Sequence, residues 1–312
     1  MNKIYSLKGK KIWVSGHTGM VGSALIRKLD RTKYNVLTIE RKKLDLRIQS
    51  DVDSWINKNS PDIIFHIAGK VGGILENSNK PADFISENLQ IQNNVINSAF
   101  KCGVKRLIFL GSACIYPISD KPIKENDLLQ GKLEPTNRSY SIAKIAGIEM
   151  CRAFSQQFGV NYTSVQPNNL YGPNDNFTDD SAHVISSLFR KLHFAKKKNY
   201  ENCSVWGTGK PKREFLFVDD LVDALIIISE YYNSIEPINV GSGEEIRIKD
   251  LAYLIKEIVK YKGKLIFDNS YPDGVKRKFL DSSKITQLGW KAKINLEQGL
   301  KRTYNWYKKN SS

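Results

Sequence analysis

The stretch KIWVSGHTGMVGSALIRKL, residues 11–29, decides how the rest of the chain is read. It opens on a short apolar run suited to a buried strand and passes at once into a glycine-rich turn. From Met20 it takes on the apolar spacing of an amphipathic helix. Gly16, Gly19 and Gly22 stand where small residues let the main chain approach a phosphate, and Thr18, Met20 and Val21 complete the loop. The free amides at the N-terminus of the following helix face the same point. A glycine triplet alone carries little weight. Between a strand and the helix it opens, it predicts a site for the pyrophosphate of a dinucleotide.

The same alternation continues downstream. Strand-like runs at residues 35–39, 62–67, 106–110 and 162–166 are separated by helical stretches. Runs such as DIIFHIA and RLIFLG are apolar throughout, as strands covered on both faces are. The predicted fold is α/β, a Rossmann-type doubly wound parallel sheet with a smaller C-terminal α/β substrate lobe. The pattern loosens after Tyr171 with GPNDNFTDDS, then resumes as a helix from Ala182 towards Ala195. Residues 213–229 predict a strand and a helix capped by Asp219 or Asp220 that returns to the first domain. The expected division is 1–172, with 214–240 returning, for the dinucleotide-binding domain. Residues 173–213 and 241–312 would form the substrate-binding domain, and residues 296–308 a final amphipathic helix.

Composition narrows the class. With 312 residues, 41% of them hydrophobic and 26% charged, the chain has the make-up of a globular enzyme. No run approaches ~18 apolar residues, and the N-terminal residues lack an apolar leader, so a cytoplasmic protein is expected. Cys102, Cys114, Cys151 and Cys203 form no CxxC pair, which argues against a disulfide framework and a metal site. The net charge of +16 is spread through every segment and reads first as biased composition, with an anionic nucleotide substrate the alternative. No basic cluster interleaved with aromatics suggests nucleic acid.

Three residues carry the expected chemistry. Tyr140 and Lys144 lie on one face of a helix, where the ammonium is expected to lower the tyrosine pKa. Ser112 follows the strand at 106–110, and strand ends line the ligand crevice of a parallel sheet. Tyr304 and Lys308 repeat the spacing in the tail, where a surface helix pair is the expectation. Cys114, two residues after Ser112, faces the same way in an extended segment. Its thiolate could serve as a base, or it could be a small buried hydrophobe. His183 could supply an acid or be structural. The end of the second strand points both ways on the cofactor: Glu40 favours a free ribose and NAD, Arg41 a 2′-phosphate and NADP, with Asp45 and Leu46 near the adenine.

Those residues sit within GHTGMVGSAL, AGKVGGI, ENLQIQNNVI, GSACIYP, LEPTNRSYSIAKIAG, NNLYGPNDNF, SAHVI, VWGTGKPKREFLFVDDL and YPDGVKRKFLD. Together these make the chain resemble the extended short-chain dehydrogenase/reductases, and within them the GDP-L-fucose synthase family, nearly end to end. The resemblance implies epimerisation at C3 and C5 of GDP-4-keto-6-deoxy-D-mannose, then NADPH-dependent reduction at C4. It makes Ser112, Tyr140 and Lys144 the reducing group, Cys114 the base and His183 the acid. Ala68, Asn88, Leu110, Gly111, Pro167, Asn168, Asn169 and Leu170, together with Lys144 and His183, would border the cofactor. Lys191, Trp206, Arg213 and Asp273 would hold the GDP-sugar. A homodimer is implied, with residues 82–102 and 141–158 as candidate interface helices.

Two departures stand out: Asn168 where the family leads one to expect threonine, and Thr18 where a basic residue is usual. NADP(H) is the expected cofactor, with NAD(H) left open. A dehydratase would want an acid beside the hydroxyl residue, which Ser112-Ala113-Cys114 lacks. A reductase or epimerase/reductase of a related GDP-4-keto sugar, of deoxyheptose or colitose type, remains an alternative. A non-catalytic dinucleotide-binding protein is the alternative from another class. Replacing Arg41 with Ala should raise the Michaelis constant for NADPH more than that for NADH; equal changes in a steady-state comparison would contradict it.

Overall fold

The computed structural model describes residues 2–31, 34–178 and 182–310. Its larger part is a six-stranded parallel sheet. In chain order come β1 (Lys11–Ser15), α1 (Met20–Arg31), β2 (Asn35–Leu37), α2 (Gln49–Asn59), β3 (Ile63–His66), α3 (Ile74–Asn79), α4 (Pro81–Lys101), β4 (Arg106–Leu110), α5 (Arg138–Phe158) and β5 (Asn161–Pro167). Next are β6 (Asn169–Tyr171), α6 (Val184–Lys197), β7 (Asn202–Trp206), β8 (Lys212–Phe217), α7 (Val218–Tyr231) and β9 (Ile238–Val240). The chain closes with β10 (Glu245–Arg247), α8 (Ile248–Val259), β11 (Lys264–Asp268), β12 (Arg277–Lys278), α9 (Ser283–Gln287) and α10 (Leu296–Asn310). The strand order is β2-β1-β3-β4-β5-β9.

Alternation along the strands explains the two covered faces. Ile12 and Val14 enter one core while Trp13 enters the other; Ile63 and Phe65 oppose Ile64; Ile108 opposes Leu107 and Phe109. The first core is closed by α1 and α7, the second by α2, α4 and α5. A third core gathers α6, α8 and α10 with β7 and β11 around Phe189, Leu192, Ile255 and Leu300. Since β1 pairs with β2 on one side and β3 on the other, the chain reverses direction across the sheet at β1, and a crevice opens at the carboxyl ends there.

Several expectations are corrected. β2 ends at Leu37 rather than continuing to Ile39. Although α7 packs on α1 and β9 joins the main sheet, β8 does not: it pairs with β6, β10 and β12. Neither Asp219 nor Asp220 caps α7, whose N-cap is Phe217. Asp220 instead accepts from the amides of Lys293 and Ile294 at 3.2 and 2.9 Å, and Asp219 pairs with Arg27 at 3.1 Å. Tyr304 is buried, not on the surface, because its ring stacks on Phe189 and its hydroxyl meets His193 at 2.9 Å. Among the described residues no helix is long and apolar enough to cross a membrane. All four cysteines are free.

Candidate active site

The crevice is a cavity of about 1000 Å³ running from the β1–α1 turn past the end of β4 to α6, β8 and β12. Its floor is the glycine turn. Gly16 has φ +79°, and a Cβ there would sit 2.8 Å from the backbone of Ala68. Glycine is therefore required both for the turn and for its closeness to β3. Gly22 does not line the cavity; a Cβ on it would meet the Gly16 carbonyl at 2.1 Å, so it seats α1 against the turn. No acidic residue stands in the first turn of α1 to compete for its free amides. Open amides, a cradle that a side chain would fill, and this volume fit a dinucleotide pyrophosphate.

Past β2, Arg41, Asp45 and Leu46 line the cavity, whereas Glu40 does not and its residue is exposed. Hydrogen bonds from Arg47 hold the Asp45 carboxyl down at about 2. The Arg41 side chain is 71% exposed, with its guanidinium 3.6 Å from Glu87. Asn88 also stays off the cavity wall. It accepts from the Lys70 amide at 2.9 Å and donates to the carbonyls of Lys70 and Phe84, fixing the AGKVGGI loop from behind.

The central wall is built at the end of β4. The Gly111 amide donates to the Val165 carbonyl at 2.8 Å, and the Ser112 amide to the Gln166 side chain at 2.9 Å. Cys114 is not in an extended segment, as assumed from the sequence, but in a single 3₁₀ turn, Ala113–Ile115, capped by the Ser112 hydroxyl. Both side chains still belong to residues of the cavity wall. Lys278, on β12, brings its ammonium to 3.5 Å from the Cys114 sulfur.

Tyr140 and Lys144 lie on α5, both nearly buried. Tyr140 lines the cavity and packs edge-on against Phe84; Lys144 lies behind the wall and donates to the Leu110 carbonyl at 2.9 Å. The expected lowering of the tyrosine pKa is not found. Burial, then the charge of Cys114, pushes the phenol up, opposed by the Ser112 hydroxyl. Lys144 is not among the groups that lower it: its ammonium lies 6.0 Å from the Tyr140 ring centre, and burial drives its own pKa down to about 8.

Opposite stand His183, immediately before α6, and further along Lys191, Trp206, Arg213 and Asp273. The Lys191 ammonium sits 4.1 Å over the Trp206 ring, which stacks on Tyr271 with centres 4.3 Å apart. Burial lowers the pKa of both Lys191 and Arg213. The Asp273 carboxylate is already engaged, accepting from the Thr208 amide and hydroxyl at 2.7 and 2.6 Å. Pro167, Asn168, Asn169 and Leu170 line the cavity between the two walls. Sequence reasoning missed Lys278, Glu134 and Tyr271, which also line it. Lys278 and Tyr271 lie in the quoted YPDGVKRKFLD stretch, yet only the register Lys278↔Arg213 brings that lysine to Cys114.

Such a pocket, with a dinucleotide cradle at one end and a serine, a tyrosine and a buried lysine at a strand end, defines a nicotinamide-dependent enzyme that works on a carbonyl or carbinol carbon. The chain belongs to the NAD dependent epimerase/dehydratase family, whose model matches residues 12–241. A rice protein named probable GDP-L-fucose synthase 1 (Oryza sativa subsp. japonica) is 52% identical over 97% of this chain and 93% of its own. A crystal structure of a GDP-6-OMe-4-keto-L-xylo-heptose reductase from C. jejuni superposes with a TM-score of 0.91 at 36% identity, covering 97% of this chain and 98% of the other. A GDP-L-fucose synthetase from Naegleria fowleri, bound to NADP, gives 0.90 at 30% identity over 99% and 95%.

Burial of Lys144 has a thermodynamic consequence. Its folded pKa, about 8, lies below the ordinary 10.5, so between those values the unfolded chain holds the extra proton and stability attributable to this residue rises with pH. Relative to the Lys144→Met protein, the native chain should gain about 3 kcal/mol between pH 7 and pH 11 in denaturant titrations. Parallel pH profiles for the two proteins would contradict the buried ammonium.

Proposed function

We propose that this chain epimerises GDP-4-keto-6-deoxy-D-mannose at C3 and C5 and then reduces C4 with NADPH to give GDP-L-fucose. The observation that carries this is the convergence of Ser112, Cys114, Tyr140 and His183 on one cavity that has Lys191, Trp206 and Arg213 at its far end. The C4 ketone acidifies the hydrogens on C3 and C5. Cys114 as thiolate removes one of them, and the charge passes to the C4 oxygen, where Ser112 and Tyr140 donate to it. His183 returns a proton to the opposite face. Lys278, beside the Cys114 sulfur, compensates the thiolate charge.

When bound, NADPH supplies the hydride for C4. Tyr140 donates the proton that the C4 oxygen then needs, and Lys144, behind the wall, fixes the strand end that carries Ser112. Arg41 on the cavity wall, which Glu40 does not line, supports NADP over NAD, as does the NADP-bound relative. Lys191 and Arg213 offer cations to the substrate diphosphate, beside the stacked rings of Trp206 and Tyr271. Exposed Ile142 on α5, and exposed Phe158 at its end beside Phe154 and Phe100, support a homodimer through α4 and α5. We place the enzyme in the cytoplasm.

A second reading rests on the likeness to the heptose reductase: reduction of a related GDP-4-keto sugar, with Cys114 and His183 as pocket walls. Cys114→Ser and His183→Gln discriminate. Under the first reading each should cut solvent-deuterium incorporation at C3 and C5 by about 100-fold or more while NADPH oxidation by the ketone persists. Undiminished incorporation in both variants would refute the assigned roles.

A further inference from the structure

Behind His183 lies a buried carboxylate without a role in this chemistry. Asp175, in the loop after β6, has a side chain only 4% exposed and does not reach the cavity that His183 lines. Its Oδ2 accepts from the hydroxyl of Ser186, which is fully buried in the first turn of α6. Its Oδ1 accepts from the Asn176 amide at 2.8 Å and lies 3.6 Å from Nδ1 of His183. That is too long for a hydrogen bond but within reach of an ion pair. Nδ1 is shut off from solvent and has no hydrogen-bond partner among the described residues, whereas the imidazole as a whole is 43% exposed.

We infer that Asp175 is a positioning residue for His183: it keeps the ring cationic and fixes which nitrogen faces the substrate. The inference rests on the reading of His183 as the proton donor. A cation just before α6 is opposed by the positive end of the helix and by burial. Asp175 offsets both, and the His183 pKa is raised, burial lowering it and the Asp175 carboxylate lifting it further. The carboxylate claims Nδ1–H, so the proton delivered to the cavity is the one on Nε2. Cys114 as thiolate takes the proton from carbon, and the electron pair moves to the C4 oxygen. As it returns to carbon, the Nε2–H bond breaks to that carbon. Neutral His183 keeps Nδ1–H towards Asp175, regains its Nε2 proton from water, and Cys114 releases its own to water.

Lys191, Arg213, Lys278, Glu134 and Asp273 are among the charged residues that line the same cavity, with the thiol of Cys114 and the phenol of Tyr140. Among the described residues Asp175 is the one carboxylate within 4.0 Å of the ring.

The chain has four histidines, so ¹⁵N-histidine labelling with His183→Gln for assignment isolates the His183 signals. In the full-length protein neutral His183 should carry its proton on Nδ1. In Asp175→Asn its titration midpoint should fall and the tautomers mix. Deuterium incorporation into substrate should then drop about tenfold at pH 8 and much less at pH 6, with Asp175→Glu recovering part of it. An unchanged midpoint and tautomer in Asp175→Asn overturns the inference. If that variant does not fold, the native spectra decide: a neutral ring protonated on Nε2 overturns it, and one protonated on Nδ1 supports it. Full incorporation by His183→Gln would instead refute the acid role of His183, leaving its pairing with Asp175 to be judged by the spectra.

Discussion

A lysine ammonium taken out of water sets the geometry of this site. Lys144 is held by one hydrogen bond to the Leu110 carbonyl at the end of β4, over the face of Phe109. Burying a cation is costly, and its pKa falls to about 8. In exchange α5 is pinned to the sheet at the point where the chain leaves it, so that Tyr140, one turn earlier, faces the segment that carries Ser112. The Gln166 side chain holds that segment from the neighbouring strand, accepting from the Ser112 amide. Sheet, helix and strand-end turn are thus locked together before any ligand arrives.

A buried acid plays the matching part for the second wall. Glu214, fully buried on β8, accepts from the amides of Gly243 and Leu280 at 2.7 and 3.0 Å and from the Asn168 side chain. Leu280 follows β12, so this carboxylate ties the strand bearing Arg213 to the segment bearing Lys278 and to the turn that places Asn169. Asn168, a departure from the residue expected there, is what reaches Glu214; its own Oδ1 orients Asn169. The substitution is accommodated by a partner rather than merely tolerated.

What was legible in the sequence was what short-range pattern encodes. Residues 11–29 fixed the glycine turn, apolar runs located the strands, and helical spacing put Tyr140 and Lys144 on one helix. What was hidden depended on long-range register and burial. Lys278 meets Cys114 only because β12 pairs with β8. Asp175 stands behind His183 only because its carboxylate is held by Ser186 in the first turn of α6. The tyrosine pKa was hidden for the same reason: spacing shows that a lysine is near, but not that burial of the phenol itself pushes its pKa up. Asp219 and Asp220 looked like caps because an acidic pair before an apolar run usually is one, whereas here they serve neighbours distant in sequence.

The central claim is that one cavity first moves protons on carbon and then accepts hydride at C4. Incubating the protein with GDP-4-keto-6-deoxy-mannose in deuterated water without cofactor, following exchange by NMR, and then adding NADPH tests it directly. The account predicts deuterium at both C3 and C5 before any reduction, followed by cofactor oxidation and GDP-L-fucose. Cofactor oxidation with no deuterium at either carbon would contradict it.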